Sequence, residues 1–285
     1  MKIVLLSEGA SKRLLKNEDE HPLTLQPVLA SPKSKQESMV QRLWRQIGQA
    51  DLQKDTLVVT NSKQAQLLQS QFGEQANVII APHRHHTYAE TLLAVSHLYS
   101  EAQVGLSEII IVLPADLVVE DAFFSILEQL EVTLRTSKQD LALLGMRPTH
   151  PSEDFGYIIP SETYHHEFQP AYINVSQFVN RPRTSEAQAL LEQNALWSCG
   201  VFAFQLNYMI HHMIHYELPI RQVQLQKQYH RIPRISFDEA VTEQARNVVV
   251  KPYHPARIGQ WVRRAVIGQS LGSVRSSLKT GGTIV

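Results

Sequence analysis

The chain has 285 residues, with 27 Lys and Arg against 27 Asp and Glu. This zero net charge excludes a broad basic field for nucleic acid or an anionic membrane surface. Such a length buries a large core as one α/β domain, or as a domain with an extension. One cysteine, Cys199, excludes a disulfide framework and suits a reducing cytosol. The opening MKIVLLSEG is too short for a signal peptide or membrane span, and no later stretch is long enough to cross a bilayer, so a cytoplasmic protein is expected. The 13 histidines are scattered or paired, as in His85–His86 and His211–His212, without a Cys partner or HExxH spacing. Solvated or packed imidazoles account for them better than zinc does.

Strand and helix signals alternate along the chain. Lys2–Leu6 (KIVLL) reads as a buried strand, followed by a polar loop over Ser7–Pro27. Ser38–Ile47 places Met39, Val40, Leu43, Trp44 and Ile47 at helical spacing behind a Ser38 cap. Thr56–Thr60 is a second strand and Lys63–Phe72 a second helix. Val78–Ala81 is a third strand, ended by Pro82, and Thr87–Ser100 an amphipathic helix. Ile109–Leu113 is an unbroken apolar run, as in a parallel strand buried on both faces, and its carboxyl end falls at Pro114. A helix is expected around Asp121–Glu131, then a strand at Leu141–Met146. Shorter strands follow at Phe155–Ile159, Ala171–Phe178 and Cys199–Phe204, with a helix at Ser185–Asn194. Asn207–Tyr229 reads as one helical stretch, and the Gly- and Ser-rich tail after Gly268 as frayed.

This order predicts an α/β fold with a doubly wound, mostly parallel sheet and a mixed second half. Right-handed connections gather the loops Ser7–Arg13, Pro82–Thr87 and Pro114–Asp116 on one edge, where ligands of open α/β sheets bind. Asp116, just past a central strand, has two readings. It holds a divalent cation against a phosphate-bearing ligand, or it caps the helix that follows.

Nine segments in order carry a resemblance over roughly residues 1–260: LLSEGASKRL, ESMVQRLWRQI, LVVTN, IIAPHRHHTYAETLLA, IIIVLPAD, FGYI, VSQFVNRP, LWSCGVFAF and ISFDEAV. Together they resemble the bacterial mannose-1-phosphate guanylyltransferases of the nucleotide-diphospho-sugar transferase superfamily, as a diverged member. The resemblance implies a Rossmann-like domain over 1–268, divided into a nucleotide-binding half (1–147) and a sugar-phosphate half (148–268), with a flexible tail at 269–285. It implies transfer of GMP from GTP to mannose-1-phosphate with Mg²⁺, releasing pyrophosphate. Leu6, Ser7, Gly9, Arg13, Thr87 and Ala115 would line the nucleotide, with Arg13 and Asp116 catalytic and Asp116 the metal ligand. Gly156, Tyr157, Asn180, Arg181 and Gly200 would hold the sugar phosphate. A homo-oligomer or an active paralogue is a possible partner under the resemblance, whereas nucleic acid and membrane are not.

Several positions depart from that family pattern. Glu8 stands for a glycine of the phosphate loop, where a carboxylate repels the phosphates and a Cβ hinders close approach. Leu23 falls where the phosphate lysine belongs; Lys12, Lys16, Lys33 or Lys35 are candidate substitutes. His85 and His86 replace an Arg-Asn pair before Thr87. Asn180 and Arg181 replace a Glu-Lys pair, the arginine keeping a charge for phosphate. Arg257 replaces the second metal aspartate and would repel Mg²⁺. Two functions therefore stand side by side: a sugar nucleotidyltransferase with impaired or altered activity, and a non-catalytic relative that binds nucleotide or sugar phosphate as a regulatory partner.

Overall fold

A computed structural model describes residues 1–7, 25–27, 29, 36–73, 76–83, 86–162 and 170–254. Four strands, β1 (Lys2–Leu6), β2 (Thr56–Asn61), β3 (Asn77–Ala81) and β4 (Ile109–Pro114), pair in parallel in the order β3-β2-β1-β4. They alternate with helices α1 (Met39–Gln49), α2 (Ser62–Phe72), α3 (Thr87–Ser100) and α4 (Phe123–Ser137). The expected Ser38 cap is present as a reciprocal capping box. The Ser38 hydroxyl accepts from the Gln41 N–H at 3.1 Å, and the Gln41 side chain accepts from the Ser38 N–H at 2.8 Å.

All six residues of β4 are buried, as its unbroken apolar run predicts. Its odd positions Ile109, Ile111 and Leu113 pack with α1, α2 and α4, while Ile110 and Val112 pack with α3. Helices thus cover both faces of the parallel strands, and each face has its own apolar core.

The second half contains β5 (Leu141–Met146), β6 (Gly156–Pro160), β7 (Ile173–Asn180), helix α5 (Thr184–Glu192), β8 (Leu196–Gln205), α6 (Leu206–His215), α7 (Gln222–Gln228) and β9 (Val248–Tyr253). These strands extend the sheet as β4-β8-β5-β9-β7-β6, and β6 returns to pair with β8. The expectation of a mostly parallel sheet holds for the first half only. Among the described residues four of the nine strand pairings are parallel, so the sheet as a whole is mixed. The cause is β8, inserted antiparallel between β4 and β5.

Two further elements differ from the sequence reading. Asn207–Tyr229 is two helices, because the chain takes a left-handed turn at Glu217 (φ 54°) and meets Pro219 before α7 begins. The strand β9 went unanticipated: its Val248–Val250 run is short, and Pro252 argues against a central strand. Nevertheless β9 lies between β5 and β7, with Pro252 opposite Gly145. The tail and most of the loop after Ser7 lie outside the described residues.

Candidate functional site

The site follows from how β8 changes partners. One side of β8 is taken by β5, from Phe204 to Trp197. On the other side β4 pairs only as far as Val112 with Phe202, and β6 pairs only with Trp197 and Leu196. Between these two ladders, on that side and among the described residues, β8 has no strand beside it over residues 198–201. Its register with β5 also slips there, with Gly200 in the left-handed region at φ 64°. The result is a crevice between the carboxyl end of β4 and the β6–β7 hairpin, where the order of the sheet divides.

The floor of the crevice on the β4 side is set by backbone. The Ser7 N–H donates to the Val59 carbonyl at 3.0 Å, and the Ala115 N–H donates to the Leu6 carbonyl at 2.9 Å. Leu6, Ser7, Ala115 and Asp116 are therefore brought together past the ends of adjacent strands, as the sequence predicts. Asp116 is only 4% exposed, and its Oδ1 has no hydrogen-bond partner among the described residues. It does not cap α4, which starts at Phe123 behind Ala122. That removes one of its two readings. A buried carboxylate oxygen with no donor is costly unless a cation meets it, and oxygen donors suit a hard divalent ion. Among the described residues no group of three His, Cys, Asp or Glu side chains forms a metal cage. The fit is therefore to an ion that takes one protein carboxylate and fills its remaining positions with phosphate and water.

The loop after Asp116 is held by residues that the sequence reading passed over. Gln46 Nε2, buried on the core face of α1, donates to the Val119 carbonyl at 3.0 Å and to Asp121 Oδ1 at 2.8 Å. The Tyr253 hydroxyl donates to Glu120 at 3.2 Å. A glutamine at an apolar heptad-like position of α1 was the available signal.

Across the crevice, Gly156 pairs with Asn180, and Arg181 follows in the left-handed region at φ 48°. Asn180, Arg181 and Gly156 are thus neighbours, with Gly200 on the adjoining strand. Tyr157 requires a correction: its ring is fully buried and its hydroxyl both donates to the Ser152 carbonyl and accepts from the Ser152 N–H. It clamps the turn before β6, and its side chain has no surface for a sugar. Thr87 links the two halves, since its hydroxyl accepts from the Phe237 N–H at 2.9 Å. Phe237 stacks on Phe202 of β8 with ring centres 3.8 Å apart.

Phe237 opens a single π-helical turn, Asp238–Thr242, which carries Glu239 with Glu243 just behind it, neither singled out in the sequence. Burial raises Glu239, but hydrogen bonds from the Ser236 N–H and hydroxyl, then the charges of Arg181 and His86, outweigh it and hold the carboxyl below its usual range. Glu243 is pushed up by burial, and further by Glu239 and Asp238, against an opposing hydrogen bond from the Asn180 N–H. Arg181 and His86 therefore share an electrostatic field with this turn. Of the other predicted residues, Gly9 and Arg13 lie outside the described residues, as do Glu8, Leu23, His85 and Arg257.

A crevice at the carboxyl edge of parallel strands, floored by a buried carboxylate, is where open α/β sheets bind their ligands. The chain belongs to the nucleotidyl transferase family, whose model matches residues 2–239. It is 25% identical over 154 residues to the alginate biosynthesis protein AlgA of Pseudomonas putida, covering 52% of this chain and 31% of that protein. The AlgA of Pseudomonas aeruginosa is 24% identical over 66% of this chain and 40% of its own length. The chain thus spans well under half the length of these relatives. Among solved structures, mannose-1-phosphate geranyltransferase from Thermus thermophilus superposes with a TM-score of 0.73 at 23% identity, over 88% of this chain and 73% of that one. UDP-glucose pyrophosphorylase from Acinetobacter baumanii covers 99% of this chain and 94% of its own, with a TM-score of 0.58 at 14% identity. At these identities the structures establish the α/β fold. Among the described residues no helix is long and apolar enough to cross a membrane.

Proposed function

We propose that this chain is a sugar-1-phosphate nucleotidyltransferase that joins GTP to mannose-1-phosphate with release of pyrophosphate, at a rate well below that of an unsubstituted family member. The observation that carries the reading is the buried Oδ1 of Asp116 at the end of β4, without a hydrogen-bond partner among the described residues. Asp116 would hold Mg²⁺, which neutralises phosphate charge as the α-phosphate is attacked. Leu6, Ser7 and Ala115 shape the floor on which the nucleotide would lie, and the family resemblance assigns Gly9 and Arg13 to the same ligand. On the far wall Arg181 offers a bidentate contact for the sugar phosphate, and Asn180 offers an amide to its hydroxyls. Thr87 positions the wall through Phe237 rather than through a free side chain. The reading takes residues 1–268 as one such domain, working in the cytoplasm.

The slow rate rests on Glu8 and Arg257. A misplaced unit charge about 4 Å from its target costs on the order of 4 kcal/mol at an effective dielectric near ~20. If felt only in the transition state, that slows turnover about a thousandfold. The second reading, a non-catalytic regulatory partner of an active paralogue, is favoured by one observation: the charge of Arg181 already lowers Glu239, so part of its field is spent on a carboxylate instead of a phosphate. The test is pyrophosphate release from GTP and mannose-1-phosphate with Mg²⁺, with other nucleoside triphosphates as controls. Slow, GTP-preferring release that rises in the Glu8→Gly, Leu23→Lys, Arg257→Asp triple variant supports the first reading. Release at an ordinary family rate overturns the charge argument, and none from either protein supports the second reading.

A further inference from the structure

At the opposite edge of the sheet a cavity of about 350 Å³ opens between the carboxyl end of α4 and the start of α6. It lies beside Gln205, the partner of Ile109 at the first residue of β4. Asp116 is past the last residue of the same strand, so β4 separates the two places by about 20 Å at the usual rise per residue. The cavity belongs to no part of the crevice described above.

Its lining is mostly polar. Lys138 ends α4 in the left-handed region at φ 56°, and the lysine takes part in no ion pair among the described residues. Tyr208 and His211, one helical turn apart on α6, make no hydrogen bond with the described residues, and Asn207 adds an amide. Burial, followed by the nearby charges of Asp140 and Tyr216, pushes the Tyr208 hydroxyl up to about 12, so it stays a neutral donor at physiological pH. Arg135 also lines the space, but Glu131 holds its guanidinium at 2.8 Å. Asp140 accepts from Asn247 through Oδ2 at 2.9 Å. The set combines a cation and a phenol for an anion with a carboxylate and amides for hydroxyls. Its volume falls in the range of small-molecule sites.

We propose that this cavity is a second binding site for a small phosphorylated polyol, held by Lys138 and Tyr208 at the phosphate and by Asp140 and Asn207 at hydroxyls. The assignment does not depend on the proposed reaction at Asp116.

The test is calorimetric titration of the full chain with glucose-6-phosphate, with inorganic phosphate and free glucose as the other arms, without metal. Glucose-6-phosphate is expected to bind at millimolar concentration or better, inorganic phosphate more weakly, and glucose least. Lys138→Ala and Tyr208→Phe should each weaken glucose-6-phosphate binding about tenfold, whereas Asp116→Asn should leave it unchanged. Unfolding temperatures of the variants, measured without ligand, verify that the loss is not one of fold. Absence of binding to the natural sequence overturns the proposal. So does binding that Asp116→Asn or Arg181→Ala abolishes and Lys138→Ala does not, since that ligand sits in the crevice instead.

Discussion

A methyl group added at Gly156 would overlap the ring of Phe178, its neighbour on β7. The resemblance gives this glycine to the sugar phosphate, but the close ring is sufficient reason for it. Gly156→Ala should therefore cost about 1–3 kcal/mol of stability through overpacking, as measured by urea unfolding. Adding Phe178→Leu should recover part of the loss; if the double variant is no better than the single, the ring is not the constraint. The two other residues at this wall show how far single positions were legible. Asp116 was readable because a polar residue after a buried apolar run has few reasons to be there. Tyr157 was not, since a tyrosine in a strand gives the same letter whether its hydroxyl meets a ligand or closes a turn onto Ser152. Glu239 and Glu243 were missed because their importance arises only when the π-helical turn meets the end of β7.

Between elements, the contact of α3 with α6 has a titratable seam. The Tyr88 hydroxyl and His212 Nε2 share a hydrogen bond at 2.8 Å. Burial, with His215 adding to it, lowers the His212 pKa from 6.5 to about 4. The unfolded chain therefore binds a proton that the folded chain refuses between those values. Stability from this group is whole above pH 6.5 and is lost as pH falls toward about 4. His212→Gln should flatten that part of the stability profile in denaturant titrations at several pH values; an unchanged profile would place the acid sensitivity elsewhere. Elements rich in apolar residues, such as Thr87–Ser100 and Ile109–Pro114, were read nearly to the residue. The failures have physical causes. The left-handed turn at Glu217 has no glycine to announce it, and β9 is held in the sheet by β5 and β7 rather than by its own short valine run.

For the whole molecule, the alternation of strands and helices revealed the α/β class and the common edge of the parallel strands. It could not reveal that β8 enters antiparallel and then exchanges β4 for β6, because such pairing depends on contacts far apart in sequence. Yet that exchange makes the crevice. The nine motif fragments picked out residues that the sheet brings to the two sides of the crevice, Leu6, Ser7, Ala115 and Asp116 on one and Gly156, Asn180, Arg181 and Gly200 on the other. The central claim is that Asp116 makes this crevice a metal-dependent nucleotide site. Calorimetric titration of GTP into the natural chain and into Asp116→Asn, each with and without Mg²⁺, tests it most directly. Asparagine keeps the volume and removes a buried charge, so the variant should fold with undiminished stability in the absence of metal. The account predicts Mg²⁺-dependent binding of GTP by the natural chain and its loss, by about tenfold or more, in the variant. Equal metal dependence in the two proteins would contradict it.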